Sequence, residues 1–465
     1  MGGGRTGGDG RVGRWAVCAA AALLLVLAGV DTGCAQAWWD TAPNGIPAPS
    51  IATSLPQNGD PAGIRKRLAE HGIVYGLEYT NDVLSNLHGG NRTGTIDQGR
   101  LHGILTIDFE RLAGWQGLSF FTNFFQMHNT GRIRRDYVGA INSIAAIEGV
   151  PTTRLSEVWI EQKFAGGTAS LRVGQLAADA EFFISQMSTV FLQSDWPTIA
   201  AANLPSGGAA YPLSTPGVRL KVDPTPDVAF LLAVLNGDPA GPGEGDDEHR
   251  NLHGVNFRVN DPAFVIAEAQ FKRNRGDRDT GLATTLKLGG WHHFGRFADR
   301  RFAVGGGLLA DPRGSGVPIQ HRGDSGVYAV LDQQLWRPAG GGPDSGISVY
   351  TRASLSPSDR NPINAYIDGG IMFAGLIASR PDDKFGASVI YSRFSDSLRG
   401  FDSDAIALAG AAGPVRDHET SIEATYIAQI VPGWTLQPDV QFIRHAGGNS
   451  RRNATVAGMR SMWRF

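Results

Sequence analysis

The chain contains 465 residues, carries a formal net charge of -2 and includes 62 glycines. A charge so close to zero gives no electrostatic reason to bind nucleic acid or an anionic membrane surface, so we expect no nucleic-acid partner. The length fits either two or three soluble domains or one large barrel. The glycines follow no collagen-like period, which is typical of turns and kinked strands.

Residues 1–37 are predicted to be a secretory signal peptide. Arginines precede an apolar run, Ala16–Val30, and Ala35-Gln36-Ala37 supplies an A-x-A cleavage site. Both cysteines precede this cut, which excludes disulfide frameworks and cysteine metal sites from the mature chain. A lipid-modified Cys34 is the less favoured alternative, because Asp31 stands where lipoprotein signals usually carry leucine.

Residues 38–71 are predicted to form a proline-rich arm followed by a short helix. The helix is expected over Pro61–Glu70, with Asp60 as its N-cap and Pro61 as its first residue. From residue 72 to 465, segments of strand length alternate with turn signals. We expect no further helix of consequence after Glu70, except a short one inside the long central insert described below.

The links between the predicted strands alternate strictly between short and long. The short links are Glu110–Gly117, Ala165–Thr168, Asp223–Asp227, Arg273–Thr280, Pro338–Ser345, Arg380–Asp383 and Val431–Gly433. The long links are Asn81–Gln98, His128–Thr153, the central insert, Asn236–Asp261, His293–Asp324, Ser356–Pro362, Ser395–Asp417 and His445–Asn453. This alternation predicts an all-β fold, a transmembrane antiparallel up-and-down barrel with short turns on one side of a membrane. Leaving Val255–Val259 in a loop gives about sixteen strands, enough for an aqueous lumen.

The central insert lies between two strands with clear period-two alternation, Ala169–Gln175 and Thr215–Val222. It is long, apolar and rich in small residues, and an ordered loop of this length is usually functional. We therefore expect it to fold inward and narrow a channel. The alternative is a surface Ω-loop on a β-sandwich.

Tryptophans near the predicted strand ends indicate interfacial girdles. They are Trp115, Trp291, Trp336, Trp434 and Trp463. The last strand, Ala454–Phe465, places Trp463 and Phe465 on one face and Arg460 and Arg464 on the other. A C-terminal phenylalanine that closes an amphipathic strand is similar to the terminal signal of bacterial outer-membrane proteins, which implies that Trp463 and Phe465 serve in membrane assembly.

Several segments of the chain resemble the carbohydrate-selective porins of the OprB type. They are Leu171–Phe183, Pro212–Leu220, Val259–Phe271, Lys287–Phe297, Gly326–Arg337, Ser356–Asn364 and Thr425–Gly448. The resemblance runs in order through almost all of the mature chain. It implies a sixteen-stranded channel in the outer membrane that passes neutral sugars such as glucose. The expected partners are therefore small neutral sugars, outer-membrane lipid and lipopolysaccharide, and the barrel-assembly machinery acting on the last strand; no cofactor is expected.

A sugar-selective channel needs paired hydrogen-bond donors and acceptors to replace water and aromatic surfaces to stack on the rings. The predicted polar constriction residues are Arg172, Arg219, Lys221 and Arg352, with the carboxylates Glu157, Glu161, Asp332 and Asp439. The predicted stacking residues are Trp159 and Tyr350 on strands and Phe182, Phe183 and Trp196 in the insert. Binding must stay weak enough for release, since a tight site would block flux.

Other patterns in the sequence receive less specific interpretations. His292 and His293 are adjacent and therefore lie on opposite strand faces, which makes them poor joint metal ligands. The acidic run Asp246–Glu248 could bind calcium, but such a run in a long loop is more often solvated. No catalytic pair, nucleophile elbow or phosphate loop is apparent, so an enzyme is not expected. Two alternatives to a sugar channel stay open: a general or anion-preferring porin, and a soluble secreted all-β carbohydrate-binding protein.

Overall fold

The computed structural model describes residues 45–194, 196–276 and 279–465. Sixteen antiparallel strands form one closed barrel, in which each strand pairs with its neighbours in sequence and the first pairs with the last. The strands are β1 Ile73–Gly89, β2 Gly94–Asp108, β3 Leu118–Asn129, β4 Thr152–Phe164, β5 Ala169–Leu176, β6 Thr215–Thr225, β7 Val228–Asn236, β8 Ala263–Arg273, β9 Thr284–Ala303, β10 Pro318–Trp336, β11 Gly346–Leu355, β12 Ile363–Ala374, β13 Lys384–Phe394, β14 His418–Val431, β15 Trp434–Arg444 and β16 Ala454–Arg464. The predicted barrel of about sixteen strands is confirmed, whereas the predicted signal peptide lies outside the described residues.

Five short α-helices accompany the barrel in the described part of the chain. They are α1 Ile64–Glu70, α2 Phe109–Ala113, α3 Thr198–Asn203, α4 Asp247–Arg250 and α5 Asp396–Ala409. Within the described residues, none of these helices is long and apolar enough to cross a membrane.

The N-terminal helix α1 begins three residues later than its sequence predicts. Pro61 lies in a turn, and the helix begins at Ile64 after Gly63, which has a left-handed conformation with φ 63°. The Asp60 carboxylate still accepts hydrogen bonds from the first backbone N–H groups, Arg65 N and Lys66 N, both at 3.1 Å. The predicted positions are therefore wrong, since Gly63 is the N-cap residue and Pro61 is not the first helical residue, but the Asp60 side chain still supplies acceptors to the first turn.

The expectation of no helix of consequence after Glu70 is wrong for α5. Ser395 is its N-cap, and its hydroxyl accepts a hydrogen bond from Leu398 N. The helix buries only Leu398 of its own residues. It is held instead by ion pairs to neighbouring segments, with Arg301 Nε 2.8 Å from the Asp404 carboxylate. Few buried apolar positions mean a weak helical period in the sequence, which explains the error.

Several strands extend further than predicted into the segments that were expected to be long links. The segment predicted as the link Asn81–Gln98 is mostly strand, because β1 continues to Gly89 and β2 begins at Gly94. The predicted link His293–Asp324 likewise shrinks to residues 304–317. Polar residues on the wet inner face of a barrel strand resemble a loop in composition, which caused both errors. The predicted loop at Val255–Val259 is confirmed.

Alternation along the strands separates an inner polar face from an outer apolar face. In β4, Trp159 and Glu161 are buried inside the barrel, whereas Ile160 is 51% exposed on its outer wall. One tryptophan departs from the girdle prediction. Trp291 lies in the middle of β9 and is buried against Phe264, so it does not belong to a girdle. Trp336 is the exposed last residue of β10 and fits the prediction, because a register shift after Gln334 places it on the opposite face from that buried residue.

Candidate functional site

The link between β5 and β6, residues 177–214, folds into the barrel and is here called the inserted loop. Wall carboxylates hold it by accepting hydrogen bonds from its backbone N–H groups. The contacts are Ala177 N to Glu157 at 3.2 Å, Phe183 N to Glu268 at 2.8 Å, Gln186 N to Asp332 at 3.0 Å, and Leu192 N and Gln193 N to Glu423 at 2.6 and 3.0 Å. Because buried backbone donors require partners, this inner ring of carboxylates fixes the loop's path.

Aromatic packing supplements these hydrogen bonds. Phe183 stacks on Tyr328 of β10 with ring centroids 4.1 Å apart and contacts Trp196 edge-on at 6.2 Å. Phe191 contacts Tyr350 of β11 at 5.9 Å. Phe183 and its neighbour Phe182 are almost fully buried. The predicted inward fold of this loop is therefore confirmed, and its aromatic side chains mostly pack against the wall.

Three of the predicted residues, Arg172, Arg219 and Glu161, form one ionic cluster with Glu181 where the inserted loop meets β4, β5 and β6. Arg172 lies 2.7 Å from Glu161 and 3.3 Å from Glu181, and Arg219 lies 3.2 Å from Glu161 and 2.7 Å from Glu181. The Arg172 guanidinium also stacks over Trp159 at 3.7 Å. Two positive and two negative side chains leave the cluster without net charge.

Glu181 is the member of this cluster that belongs to the inserted loop rather than to a strand. Burial raises the pKa of its carboxyl group, but Arg172 and Arg219 outweigh burial and hold the pKa below its usual value. The Glu181 side chain is 22% exposed, against 10% for Glu161. Glu181 is therefore an ionised group at the accessible side of the cluster.

The remaining predicted polar residues lie at separate places on the wall. Lys221 pairs with Asp223 at 2.8 Å. Arg352 pairs with Asp368 at 2.5 Å and donates to the Phe183 carbonyl at 3.4 Å. Asp439 accepts a hydrogen bond from Gln441 at 2.9 Å. The predicted residues do not converge on one point.

A cavity of about 360 Å³ lies between the inserted loop and the wall formed by β2, β3 and β4. Of the predicted residues, Glu157, Phe183, Trp196 and Arg352 line it. The other lining residues with polar or aromatic side chains are Arg100, His102, Asn123, Phe125, Ser156, Asp179, Ser188, Thr189, Ser194 and Tyr211. This volume falls in the range of small-molecule sites.

On one side of the cavity, a guanidinium group, an amide group and several aromatic rings lie next to one another. Arg100 lies over Phe125 at 5.1 Å and over Tyr211 at 5.2 Å. His102 contacts Asn123 at 3.3 Å and Phe125 at 4.8 Å. Such a surface offers donors, acceptors and aromatic faces to a ligand with hydroxyl groups.

Sequence reasoning missed these wall residues, although a signal was present. Arg100 and His102 share one parity with the buried Gln98 on β2, and Asn123 and Phe125 share one parity on β3. Extending the period-two analysis to these strands would have placed all four inside the barrel.

Two other sequence patterns have definite structural roles. Arginines pair with the acidic run: Asp246 lies 2.6 Å from Arg132, and Asp247, whose side chain is 44% exposed, lies 2.5 Å from Arg250. The run is therefore only partly solvated. His292 and His293 lie on opposite faces as predicted, with His293 buried and bonded to the Gly237 carbonyl at 3.0 Å.

Comparison with known proteins relates this geometry to one family. A family model described as "Carbohydrate-selective porin, OprB family" matches residues 92–465. Porin B of Pseudomonas aeruginosa is 23% identical over 425 residues, which cover 86% of this chain and 89% of that protein.

Solved structures show the same fold. The high-pH structure of Pseudomonas putida OprB aligns with a TM-score of 0.78 at 22% identity and covers 88% of this chain and 98% of that one. The low-pH structure of the same porin aligns with a TM-score of 0.53 at 18% identity, over 88% and 97% of the two chains.

Proposed function

Because this chain belongs to the OprB family of carbohydrate-selective porins, we propose that its cavity passes neutral, glucose-type monosaccharides by passive diffusion. As a family member, the chain is a carbohydrate channel in the outer membrane of a Gram-negative bacterium. The observation that supports the finer proposal is the lining of the cavity beside the inserted loop, where Arg100, Asn123 and Glu157 accompany the rings of Phe125 and Tyr211.

The chemistry of this lining matches that of a monosaccharide. Sugar hydroxyl groups both donate and accept, so a guanidinium, an amide and a carboxylate can replace their lost water. The apolar face of the sugar ring can lie against Phe125 or Tyr211. Weak, replaceable contacts of this kind favour passage over trapping.

Charge pairing on the inner wall supports neutral solutes over anions. The Arg172 and Arg219 cluster carries two matching carboxylates, Arg352 pairs with Asp368, and Arg460 pairs with Asp82 at 2.7 Å. An anion-preferring porin would need inward arginines whose charge is not compensated. We therefore rank the general or anion-preferring porin second.

Glucose block of the ion current tests this proposal. Phe125→Leu removes an aromatic face from the cavity while retaining apolar volume. Phe121→Leu is the matched control, because Phe121 lies on the same strand and face, stacks on Trp159 at 4.8 Å and does not line the cavity. We expect the wild-type current to fall on addition of glucose, and Phe125→Leu to weaken glucose affinity about threefold to tenfold, the value of one aromatic contact.

Phe121→Leu should retain the wild-type glucose affinity. Equal effects of the two variants would contradict the assignment of the cavity, and a wild-type current that glucose leaves unchanged would contradict the sugar proposal itself. Liposome swelling gives an independent check, since glucose should enter faster than lactose.

The family and the fold are those of channels, and we further infer that the chain has no catalytic activity. The inner carboxylates support this inference, because Glu268 and Glu423 bind backbone N–H groups of the inserted loop and are not available as free acid–base groups. Hydrolysis of an oligosaccharide by the purified protein would contradict it.

We propose two outer-membrane partners beyond the sugar. Trp463 stacks on Tyr79 and Trp434 on the outer wall, and Phe465 follows on the same face, which suits recognition by the barrel-assembly machinery. Deleting Phe465 should lower the amount of folded protein in the outer membrane.

Arg393 and Arg444 face outward at the long-loop end, where lipopolysaccharide phosphates would lie. Loss of co-purifying lipopolysaccharide in a double alanine variant would test this contact.

A further inference from the structure

Two histidines and an aspartate meet at the long-loop end of adjacent strands β14 and β15. Asp417 immediately precedes β14, His418 is its first residue, and His445 immediately follows β15. One ligand atom from each of these side chains lies within 4.8 Å of the other two. His418 Nδ1 is 2.9 Å from Asp417 Oδ2, and the two imidazole rings are 4.5 Å apart.

The backbone holds these residues in place from several directions. Phe394 N donates to the Asp417 carbonyl at 2.9 Å, and Asp417 N donates to the Gly448 carbonyl at 3.2 Å. His445 has a left-handed backbone with φ 56° and donates its N–H to Asn453 Oδ1 at 3.1 Å. The three side chains therefore converge from two loops whose main chains are bonded to each other.

One atom of the cluster lacks a partner. Nδ1 of His445 is buried and has no hydrogen-bond partner among the described residues. A buried imidazole nitrogen normally binds a donor, an acceptor or a metal, so the unpartnered nitrogen indicates that this histidine can take a ligand. Ring stacking with Tyr391 at 5.2 Å keeps the His418 imidazole beside it.

We propose that Asp417, His418 and His445 bind a divalent transition-metal ion of the Zn²⁺ type. Two imidazoles and one carboxylate suit Zn²⁺, Ni²⁺ or Cu²⁺, whereas Ca²⁺ and Mg²⁺ prefer sets of oxygen ligands. Metal–ligand bonds of about 2.0–2.2 Å place tetrahedral ligands about 3.3 Å apart. The present separations require side-chain shifts of at most about 1.5 Å to reach that geometry.

The groups around the cluster carry charges of both signs. Arg399 lies 3.6 Å from Oδ1 of Asp417 and so contacts the oxygen that His418 does not use. Asp396 lies 3.6 Å from Arg399 and 2.6 Å from Arg393, which stands opposite His418 in the pairing of β13 with β14. Arg444 is the sequence neighbour of His445, so the cation must be held by its coordination bonds rather than by surplus negative charge. The three protein ligands leave a fourth position for water, and the bound ion would join the β13–β14 and β15–β16 loops on the barrel's outer rim.

Calorimetric titration of the untagged, chelator-stripped full chain in detergent with ZnCl₂ tests the proposal. We expect one Zn²⁺ per chain and no binding of CaCl₂. His418→Asn and His445→Asn should each weaken Zn²⁺ binding by about 100-fold or more, beyond the roughly 10–100-fold cost of losing an outer-shell partner. His321→Asn is the matched control, because His321 also contacts an aspartate, Asp299, at 2.8 Å without a second imidazole; it should bind Zn²⁺ as the wild type does.

Electron paramagnetic resonance with CuCl₂ gives a readout of the ligands themselves. Nitrogen hyperfine coupling from two imidazoles is expected in the wild type and from one in each single variant. Unchanged KCl conductance shows that a variant remains folded. The proposal is overturned if the wild type binds no Zn²⁺, or if the His418→Asn/His445→Asn double variant keeps the wild-type affinity.

Discussion

At the scale of individual residues, the net charge beside the inserted loop depends on four side chains, Arg172, Arg219, Glu161 and Glu181. Its four contacts of 2.7–3.3 Å compensate each guanidinium with carboxylates in a site of low exposure. Removing one of these carboxylates leaves a guanidinium charge without compensation. A buried charge of this kind is energetically costly, and its field acts over longer distances than in water.

Glu181→Gln should make the channel favour anions. The change leaves the cluster with one surplus positive charge at its accessible side. We expect the chloride-to-potassium permeability ratio to rise about fivefold, corresponding to about 1 kcal/mol at an effective dielectric constant between those of protein and water. The reversal potential in a KCl gradient measures this ratio. Glu244→Gln, in an exposed position of the β7–β8 loop, is the control and should leave the ratio unchanged.

The same residue predicts how selectivity depends on pH. The pKa of Glu181 lies below its usual value of 4.5, so the carboxylate stays ionised when an exposed glutamate begins to bind protons. The difference in permeability ratio between the wild type and Glu181→Gln should therefore persist as the pH falls to the usual glutamate value of about 4.5 and disappear only below it. Comparing the two proteins at each pH separates Glu181 from the other carboxyl groups of the channel. A difference that disappears near pH 6 would contradict the assignment.

Period-two alternation predicted the strand members of this cluster and could not predict its loop member. Arg172, Arg219 and Glu161 follow from parity, because neighbouring strand residues point to opposite faces. Glu181 lies in an irregular segment, whose side-chain directions depend on where the wall carboxylates bind the backbone. The same limit applies to Asp417, His418 and His445, which three-dimensional pairing of two loops brings together.

At the level of elements, β14 holds three loops through two of its carboxylates. Glu423 accepts hydrogen bonds from Leu192 N and Gln193 N of the inserted loop. Glu419, four residues earlier on the same inner face, accepts from Ile141 N and Asn142 N of the β3–β4 loop at 2.8 and 2.7 Å and from Gly447 N of the β15–β16 loop at 2.6 Å. The two carboxylates therefore allow a test of whether the inserted loop limits the pore.

Glu423→Gln should widen the channel. The amide NH₂ cannot accept a hydrogen bond, so one buried backbone N–H of the inserted loop loses its acceptor, at a cost of about 1–3 kcal/mol. We expect higher single-channel conductance and faster liposome swelling with lactose. Glu419→Gln weakens the β3–β4 and β15–β16 loops and should change both quantities less. If Glu419→Gln had the larger effect, the inserted loop would not be the constriction.

The sequence predicted the number of elements better than their lengths. Turn signals and alternation located sixteen strands, since each strand must reverse direction and present a lipid face. The ends of β1 and β2 were misassigned because Asp82, Asn86 and Gln98 are polar yet point inward, where they are buried. Helix α5 was missed because ion pairs such as Arg416 to Asp402, at 2.6 Å, hold it rather than an apolar stripe.

For the whole molecule, closure depends on the seam between β1 and β16, which joins the two ends of the barrel sheet. Arg65 of α1 covers this seam from the N-terminal side. Its guanidinium donates to the main-chain oxygens of Gly45 at 2.9 Å, Tyr75 at 2.8 Å and Phe465 at 3.0 Å. One side chain thus joins the N-terminal arm, the first strand and the last residue.

Arg65→Ala should destabilise the closed barrel without preventing its formation. Three hydrogen bonds to main-chain oxygens are lost, one buried and two partly buried, which we expect to cost about 2–4 kcal/mol. Samples are incubated at increasing temperatures and then run on a gel that keeps the remaining barrels folded. The temperature at which the band of folded protein disappears measures this change. Arg67→Ala is the control on the same helix, because the Arg67 guanidinium is exposed and, among the residues that the structure describes, donates to the Ala62 carbonyl alone. Equal melting of both variants would show that the seam does not need this contact.

The way in which the inserted loop is held has a consequence for how such channels change over evolutionary time. The wall binds main-chain atoms, which every amino acid except proline supplies equally at the donor positions. Substitutions at loop positions whose side chains do not pack on the wall can therefore alter the chemistry of the lining while these hydrogen bonds keep the loop's path. Variation of this kind requires point substitutions alone and no change to the barrel.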